Sequence, residues 1–176
     1  QRLNIPVADS QVSFYRQSIR PDRTVPIPPT PVVAVIGAVQ HPMSLAFREA
    51  GHQIYMIGTP TNDLASSAYL RLLHGVASST PPRFELDEEL HIQQNLRKLI
   101  REERITSAHI VSQGGLFVAL VESALVNGLG FNIETDNNFR KDAYLFGEGQ
   151  NRTVVSVTPE NEDDLVNFLN AHNVSF

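Results

Sequence analysis

Ser107-Ala108-His109-Ile110-Val111-Ser112-Gln113-Gly114-Gly115-Leu116-Phe117-Val118-Ala119-Leu120 is the stretch that sets the architecture. A short strand, Ser107 to Val111, runs into a polar turn holding two glycines, and the turn leads straight into a helical pattern. Leu116, Leu120 and Ala124 recur at helical spacing, and Gly128 stops the helix after Asn127. Backbone N–H groups at such a helix start, with glycines allowing close approach, suit a phosphate or carboxylate. The turn also has a plainer reading, in which the glycines make a tight bend and Ser112 caps the helix.

Working outward toward the C-terminus, Phe131 to Thr135 and Thr153 to Val157 read as strands, and Pro159 opens a final helix to about Ala171. Between them, Gly147-Glu148-Gly149-Gln150-Asn151-Arg152 runs into the second strand. Its two glycines around a Glu, with Arg152 nearby, fit either an anion-binding nest or an ordinary hairpin-like turn. It is not a Walker loop, because no Lys-Ser/Thr follows and a strand comes next.

Toward the N-terminus, a long helix is expected from Asp87 to Arg104, with Leu90, Leu96, Leu99 and Ile100 buried. Its acidic first turn and basic last turn suit the helix dipole. A shorter helix, capped by Asn62 or Asp63, runs to His74 and closes on Gly75, turning Leu70 and Leu73 toward the core. His52 to Gly58 reads as a strand, and Val32 to Val39 as a β-branched strand buried on both faces. Before it, Arg20-Pro21-Asp22-Arg23 and Pro26 to Pro31 form a proline-rich stretch unsuited to a helix or a central strand. That stretch reads as an extended connector after a short strand, Val12 to Tyr15, or else as part of a disordered tail. Strands alternate with helices, so the expected fold is a layered α/β (α+β) domain with helices over a mixed β-sheet.

The chain has 176 residues, 41% hydrophobic and 19% charged, with net charge -5. One soluble domain with a short arm fits that length. The acidic balance gives no footprint for nucleic acid, and no apolar run approaches the roughly 20 residues needed to cross a bilayer. Cysteine is absent, which removes disulfides and thiolate chemistry and makes a cytoplasmic setting the default. The six histidines show no metal-ligand spacing. Asp87 to Glu89 and Glu160 to Asp164 are helix-start acids, and no Gly-x-Ser-x-Gly elbow anchors a hydrolase triad.

In order along the chain, several segments resemble the ATP-dependent phosphoribosylformylglycinamidine synthases. That family's Pro-Val-x-x-Gly-Asn-Val-Ser-Phe-Tyr stretch is similar to Pro6-Val7-Ala8-Asp9-Ser10-Gln11-Val12-Ser13-Phe14-Tyr15, with Pro29-Thr30-Pro31-Val32 following. Its Gly-Gly-Ser-x-Tyr-Leu helix resembles Ala65-Ser66-Ser67-Ala68-Tyr69-Leu70, closing on His74-Gly75. Ser-Ala-His-Asp-x-Ser-x-Gly-Gly-Leu-x-Val-Ala-Leu is matched by Ser107 to Leu120, and Leu-Phe-Gly-Glu-Ser-Gln-x-Arg by Leu145 to Arg152.

The resemblance implies the second C-terminal, AIR-synthase-related domain of such a synthase. Residues 32–176 would form that domain, and 1–31 the last strand of the preceding ATP-binding domain plus its connector. The chain would also stop short of the family's final strand or strands. The implied reaction converts formylglycinamide ribonucleotide to its amidine, using ATP and ammonia from glutamine, in de novo purine synthesis. ATP, Mg2+, the ribonucleotide, the remaining synthase domains and a glutaminase are the implied cofactors and partners. Ser10, Ser112, Gly114, Gly115, Gly147, Glu148, Gly149, Gln150 and Arg152 would face nucleotide or phosphate. Ser13 and His109 would face the ribonucleotide.

Departures from the family pattern fall on the metal and nucleotide positions. Gly-Asn has become Ser10-Gln11, so Gln11 is a weak metal candidate on a longer stem. The Asp after the histidine, a metal ligand in related halves, is Ile110, which offers magnesium no oxygen. Gln113 replaces the acid of the glycine turn, and Gly-Asp has become Gly51-His52. These changes imply a lobe whose fold is kept and whose metal-dependent nucleotide site is eroded, inactive by itself. The alternatives are a non-catalytic scaffold lobe, or the same domain of a related enzyme such as aminoimidazole ribonucleotide synthetase or selenophosphate synthetase.

Overall fold

The computed structural model describes residues 5–11, 17–27, 31–135 and 138–176. It divides into two compact units, Gln1–Gln40 and His41–Phe176. In the first unit, β1 (Gln17–Ile19) pairs antiparallel with β2 (Thr24–Pro26). The Arg20 N–H donates to Arg23 O across the turn. A hairpin therefore replaces part of the expected extended connector. Pro21 presets a turn dihedral, and Pro26 ends a two-stranded ribbon where a missing N–H is tolerated. The expected strand at Val12 to Tyr15 lies outside the described residues, as does Ser13.

The Val32 to Val39 run departs from expectation. It joins no ladder among the described residues, and Val32, Val33, Val35, Ile36 and Val39 are 72–98% exposed. β-branching gives a segment strand propensity, but only neighbours can bury it.

In the second unit, β3 (Gln53–Ile57), β4 (Ser107–Ile110) and β5 (Thr153–Val157) form a sheet in the order β3-β5-β4. Both ladders run antiparallel, so among the described residues this sheet has one kind of pairing. The central strand β5 is buried at every residue. Val155 and Val157 face a core with Leu99 of helix α2 (Leu86–Arg101) and Leu165 and Leu169 of a C-terminal helix. Val154 faces the opposite core with Leu116, Ala119 and Leu120 of helix α3 (Gly115–Leu125). Helices thus cover both faces, the layered α/β arrangement expected from the sequence.

Helix α1 (Ala68–Leu73) starts later than expected, because Ser67 caps it and accepts a hydrogen bond from the Leu70 N–H. Leu73 is 70% exposed and not in the core. Helix α4 (Lys141–Phe146) follows the segment expected to be a strand at Phe131 to Thr135. That segment forms no ladder, although Phe131 and Ile133 pack on the core in alternation. Pro159–Asn161 makes one 3-10 turn before α5 (Glu162–Ala171). Ala46 and Phe47 were not expected in the core but are buried there. Ser44 O accepts from the Ala108 N–H of β4, and the Phe47 N–H donates to Ser123 O of α3.

The start of α5 is tied to the sheet by the Tyr55 hydroxyl, which donates to Glu162 Oε1 at 2.5 Å. That bond, then burial, then the nearby charges of Glu162 and Asp163, push the Tyr55 pKa up to about 12 from 10.0. A raised folded pKa on an acid stabilises fully below the unfolded value and loses that contribution as pH climbs through the folded one. The stability difference between wild type and Tyr55→Phe should therefore be constant below about pH 10 and shrink toward pH 12. Urea unfolding across that range checks it; a difference flat to pH 12 would mean that the Tyr55 hydroxyl does not hold Glu162.

Candidate functional site

The two glycine-bearing segments singled out in the sequence meet in space. Strand β4 ends beneath the turn Ser112-Gln113-Gly114, and Gly114 enters α3 with φ of 89°. Gly115, with φ of 76°, lies where α3 begins against the end of α4. A Cβ there would stand 2.7 Å from Leu145 O and Phe146 Cα. Only glycine allows both that dihedral and that approach. Gly147 is similarly confined, since a Cβ would come within 2.4 Å of Ala143 O and Asp63 O. These glycines let three stretches of backbone cross closely, the 112–115 turn, the end of α4 and the loop at Asp63.

Glu148 joins the crossing. Its Oε1 accepts from the Gly114 N–H at 2.8 Å and from the Ala68 N–H at 2.7 Å. One carboxylate oxygen thus satisfies an unpaired amide at the start of α3 and another at the start of α1, where negative charge is favoured. Phe146 supports the same junction. It stacks on Tyr69 of α1 with centroids 5.0 Å apart and contacts Phe117 of α3 at 5.7 Å.

Arg152 is buried to 1% exposure. Its Nε donates to Gly149 O at 3.3 Å, Nη1 to Tyr144 O at 3.3 Å, and Nη2 to Gly147 O. Burial pulls its pKa below the ordinary value. The guanidinium therefore faces the inside of the 144–152 loop.

Ser112, Gln113 and Gln150 are exposed at the rim. His109 is partly buried on β4, its Nδ1 3.1 Å from Ala119 O and from Ser123 Oγ, and its Nε2 3.4 Å from Glu122 Oε2. It bridges β4 to α3. Ser10 and Gln11 are exposed in the first unit, where the Ser10 N–H donates to Asp9 Oδ1 at 2.7 Å. The amide of Ala68 was not among the residues picked from the sequence. The signal for it is the Ser67 cap, which fixes where α1 begins.

Among the described residues, no three His, Cys, Asp or Glu side chains gather to hold a metal ion. Ile110 presents hydrocarbon, 66% exposed. The Gly114 amide already carries a carboxylate, and Arg152 already carries carbonyls. This arrangement fits neither magnesium nor a triphosphate.

The family model for AIR synthase related protein, C-terminal domain, matches residues 49–176. The chain belongs to that family. The chain is 34% identical, across 99% of its length, to the phosphoribosylformylglycinamidine synthase subunit PurL of Prochlorococcus marinus, of which it covers 23%. The corresponding subunit of Moorella thermoacetica is 34% identical across 94% of the chain and 22% of its own length. The chain spans about a quarter of the length of these relatives. Among solved structures, Thermotoga maritima PurL complexed with FGAR superposes with a TM-score of 0.61 at 18% identity. That match covers 75% of this chain and 24% of the other, and it supports the fold. No helix among the described residues is long and apolar enough to cross a membrane.

Proposed function

We propose that the chain serves as a C-terminal domain of a phosphoribosylformylglycinamidine synthase, an ATP-dependent ligase of cytoplasmic purine synthesis. In that enzyme the formamide oxygen of formylglycinamide ribonucleotide gives way to nitrogen from glutamine-derived ammonia. Residues 32–176 would be the domain, and 1–31 the end of the preceding ATP-binding domain with its connector. The observation that carries this reading is the junction at Glu148. It unites Ser107 to Leu120, Ala65 to Leu70 and Leu145 to Arg152, the three segments of the resemblance that it brings together.

Within the synthase, this lobe supplies scaffold and a substrate-side surface. The exposed rim of Ser112, Gln113 and Gln150 is the part we assign to the ribonucleotide; for Ser13 and His109 that assignment rests on the resemblance alone. Gly114, Gly115, Gly147, Glu148, Gly149 and Arg152 shape that rim from beneath. Phosphoryl transfer, magnesium and the glutaminase belong to other domains and partners in this reading, because this chain's groups do not fit the metal or the triphosphate.

Thermal shift of the 176-residue chain tests the proposal. Formylglycinamide ribonucleotide at about one hundred times its dissociation constant should stabilise by about 2.7 kcal/mol. ATP should leave the melting temperature unchanged, with or without magnesium. Absence of any shift with the ribonucleotide would favour a scaffold role alone. Synthetase turnover by this chain alone would refute the proposed division of labour.

A further inference from the structure

We propose that Glu148 is the anion around which the glycine turn is built, a positioning residue that occupies the amides a phosphate would use, and that Arg152 holds it there. The inference rests on the reading above, in which phosphoryl chemistry lies in other domains. The turn Ser112 to Gly115 has the features of an anion cradle, and the anion it holds is the protein's own. Glu148 Oε1 reaches Gly114, 34 residues away in sequence, and Ala68, 80 away. Both bonds are charge-assisted and within the short range such bonds take.

Arg152 explains why the carboxylate points at the turn. Two of its three carbonyl partners belong to Gly147 and Gly149, the residues on either side of Glu148. Gripping the peptide carbonyl before and after Glu148 fixes the backbone from which that side chain projects. The third bond, to Tyr144 O, anchors the grip in α4. Gly147 cannot carry a side chain where it crosses Ala143 and Asp63, so the loop has little room to retreat. A phosphate approaching Gly114 would meet a negative charge on an amide that is already satisfied. What remains for a ligand is the rim, Ser112 and Gln113, held in place from beneath.

The experiment follows the Ala68 and Gly114 amides by NMR hydrogen exchange in the isotope-labelled chain, with inorganic phosphate as the probe. In wild type both amides should exchange roughly tenfold or more slowly than Gln113, and phosphate at tens of millimolar should move neither resonance. In Glu148→Ala both should lose that protection, and phosphate should now shift them together. Glu148→Gln keeps an acceptor oxygen and should keep the two amides protected. Arg152→Met should release both while α2 and α5 stay protected. Protection unchanged in Glu148→Ala would overturn the proposal, and so would phosphate shifting Gly114 in wild type. Either failure leaves the ribonucleotide thermal shift untouched, so the two readings fail separately.

Discussion

Alanine at position 58 is expected to destabilise the second unit by on the order of 4 kcal/mol, at the extreme of single-substitution effects. Gly58 ends β3 with φ of 110°, a region that L side chains rarely enter. A Cβ there would lie 1.7 Å from Asn151 O, 2.8 Å from Asn151 C and 3.2 Å from Arg152 Cα. All three are backbone atoms, so no rotamer change relieves the overlap. The strand end or the 151–152 backbone must move, and moving the latter displaces Arg152 from its carbonyls. Gly130→Ala is the matched control, since nothing lies within 4 Å of its Cβ and its φ is not in the glycine region. That change should stay within about 0.5 kcal/mol. Urea denaturation of the two variants checks the contrast; equal midpoints would mean that β3 and the 151–152 segment do not cross this closely.

Arg152→Met should destabilise by about 3 kcal/mol, from two opposing effects. Methionine relieves the desolvation of a guanidinium, the burial that lowers the Arg152 pKa. It also strips donors from Gly147 O, Gly149 O and Tyr144 O inside the protein. An orphaned buried acceptor costs about 1–3 kcal/mol, so the loss of three outweighs the relief. At about 2–4 °C per kcal/mol, the melting temperature should fall by roughly 10 °C. Arg152→Lys should fall between the two, because an ammonium keeps the charge without the planar fork that reaches several carbonyls at once. A melting temperature within about 1 °C of wild type for Arg152→Met would contradict the role given to this side chain.

The elements most legible in the sequence were those whose pattern reports their own burial. Thr153 to Val157 reads as a strand, and the structure makes it the central one and buries each residue. Leu116, Leu120 and Ala124 at helical spacing mark the face that α3 turns inward. What could not be read depends on partners. The β-branched run at Val32 to Val39 looks like a central strand, yet no described strand pairs with it. Phe131 and Ile133 alternate as strand residues do, but their segment stops at packing and makes no ladder. Phe47 lies in an irregular stretch with no periodicity; its N–H donates to Ser123 O of α3, and packing in the core beside that helix buries its ring.

The site divides the same way. Glycines at 114, 115 and 147 announced tight backbone, and φ values and close approaches account for them. Glu148 and Arg152 stood out by type, as an acid and a base beside glycines. The bonds of Glu148 to amides 34 and 80 residues distant are tertiary facts that no local spacing encodes. Arg152 in particular looks like a surface phosphate ligand in sequence and is an interior strut in the fold.

A crystal structure of the chain grown with magnesium and a non-hydrolysable ATP analogue tests the role of Glu148 most directly. Glu148 Oε1 should still lie within hydrogen-bond distance of the Ala68 and Gly114 amides, with no phosphoryl oxygen on the turn. A phosphoryl oxygen bound to the Gly114 amide, with Glu148 swung away, would contradict it.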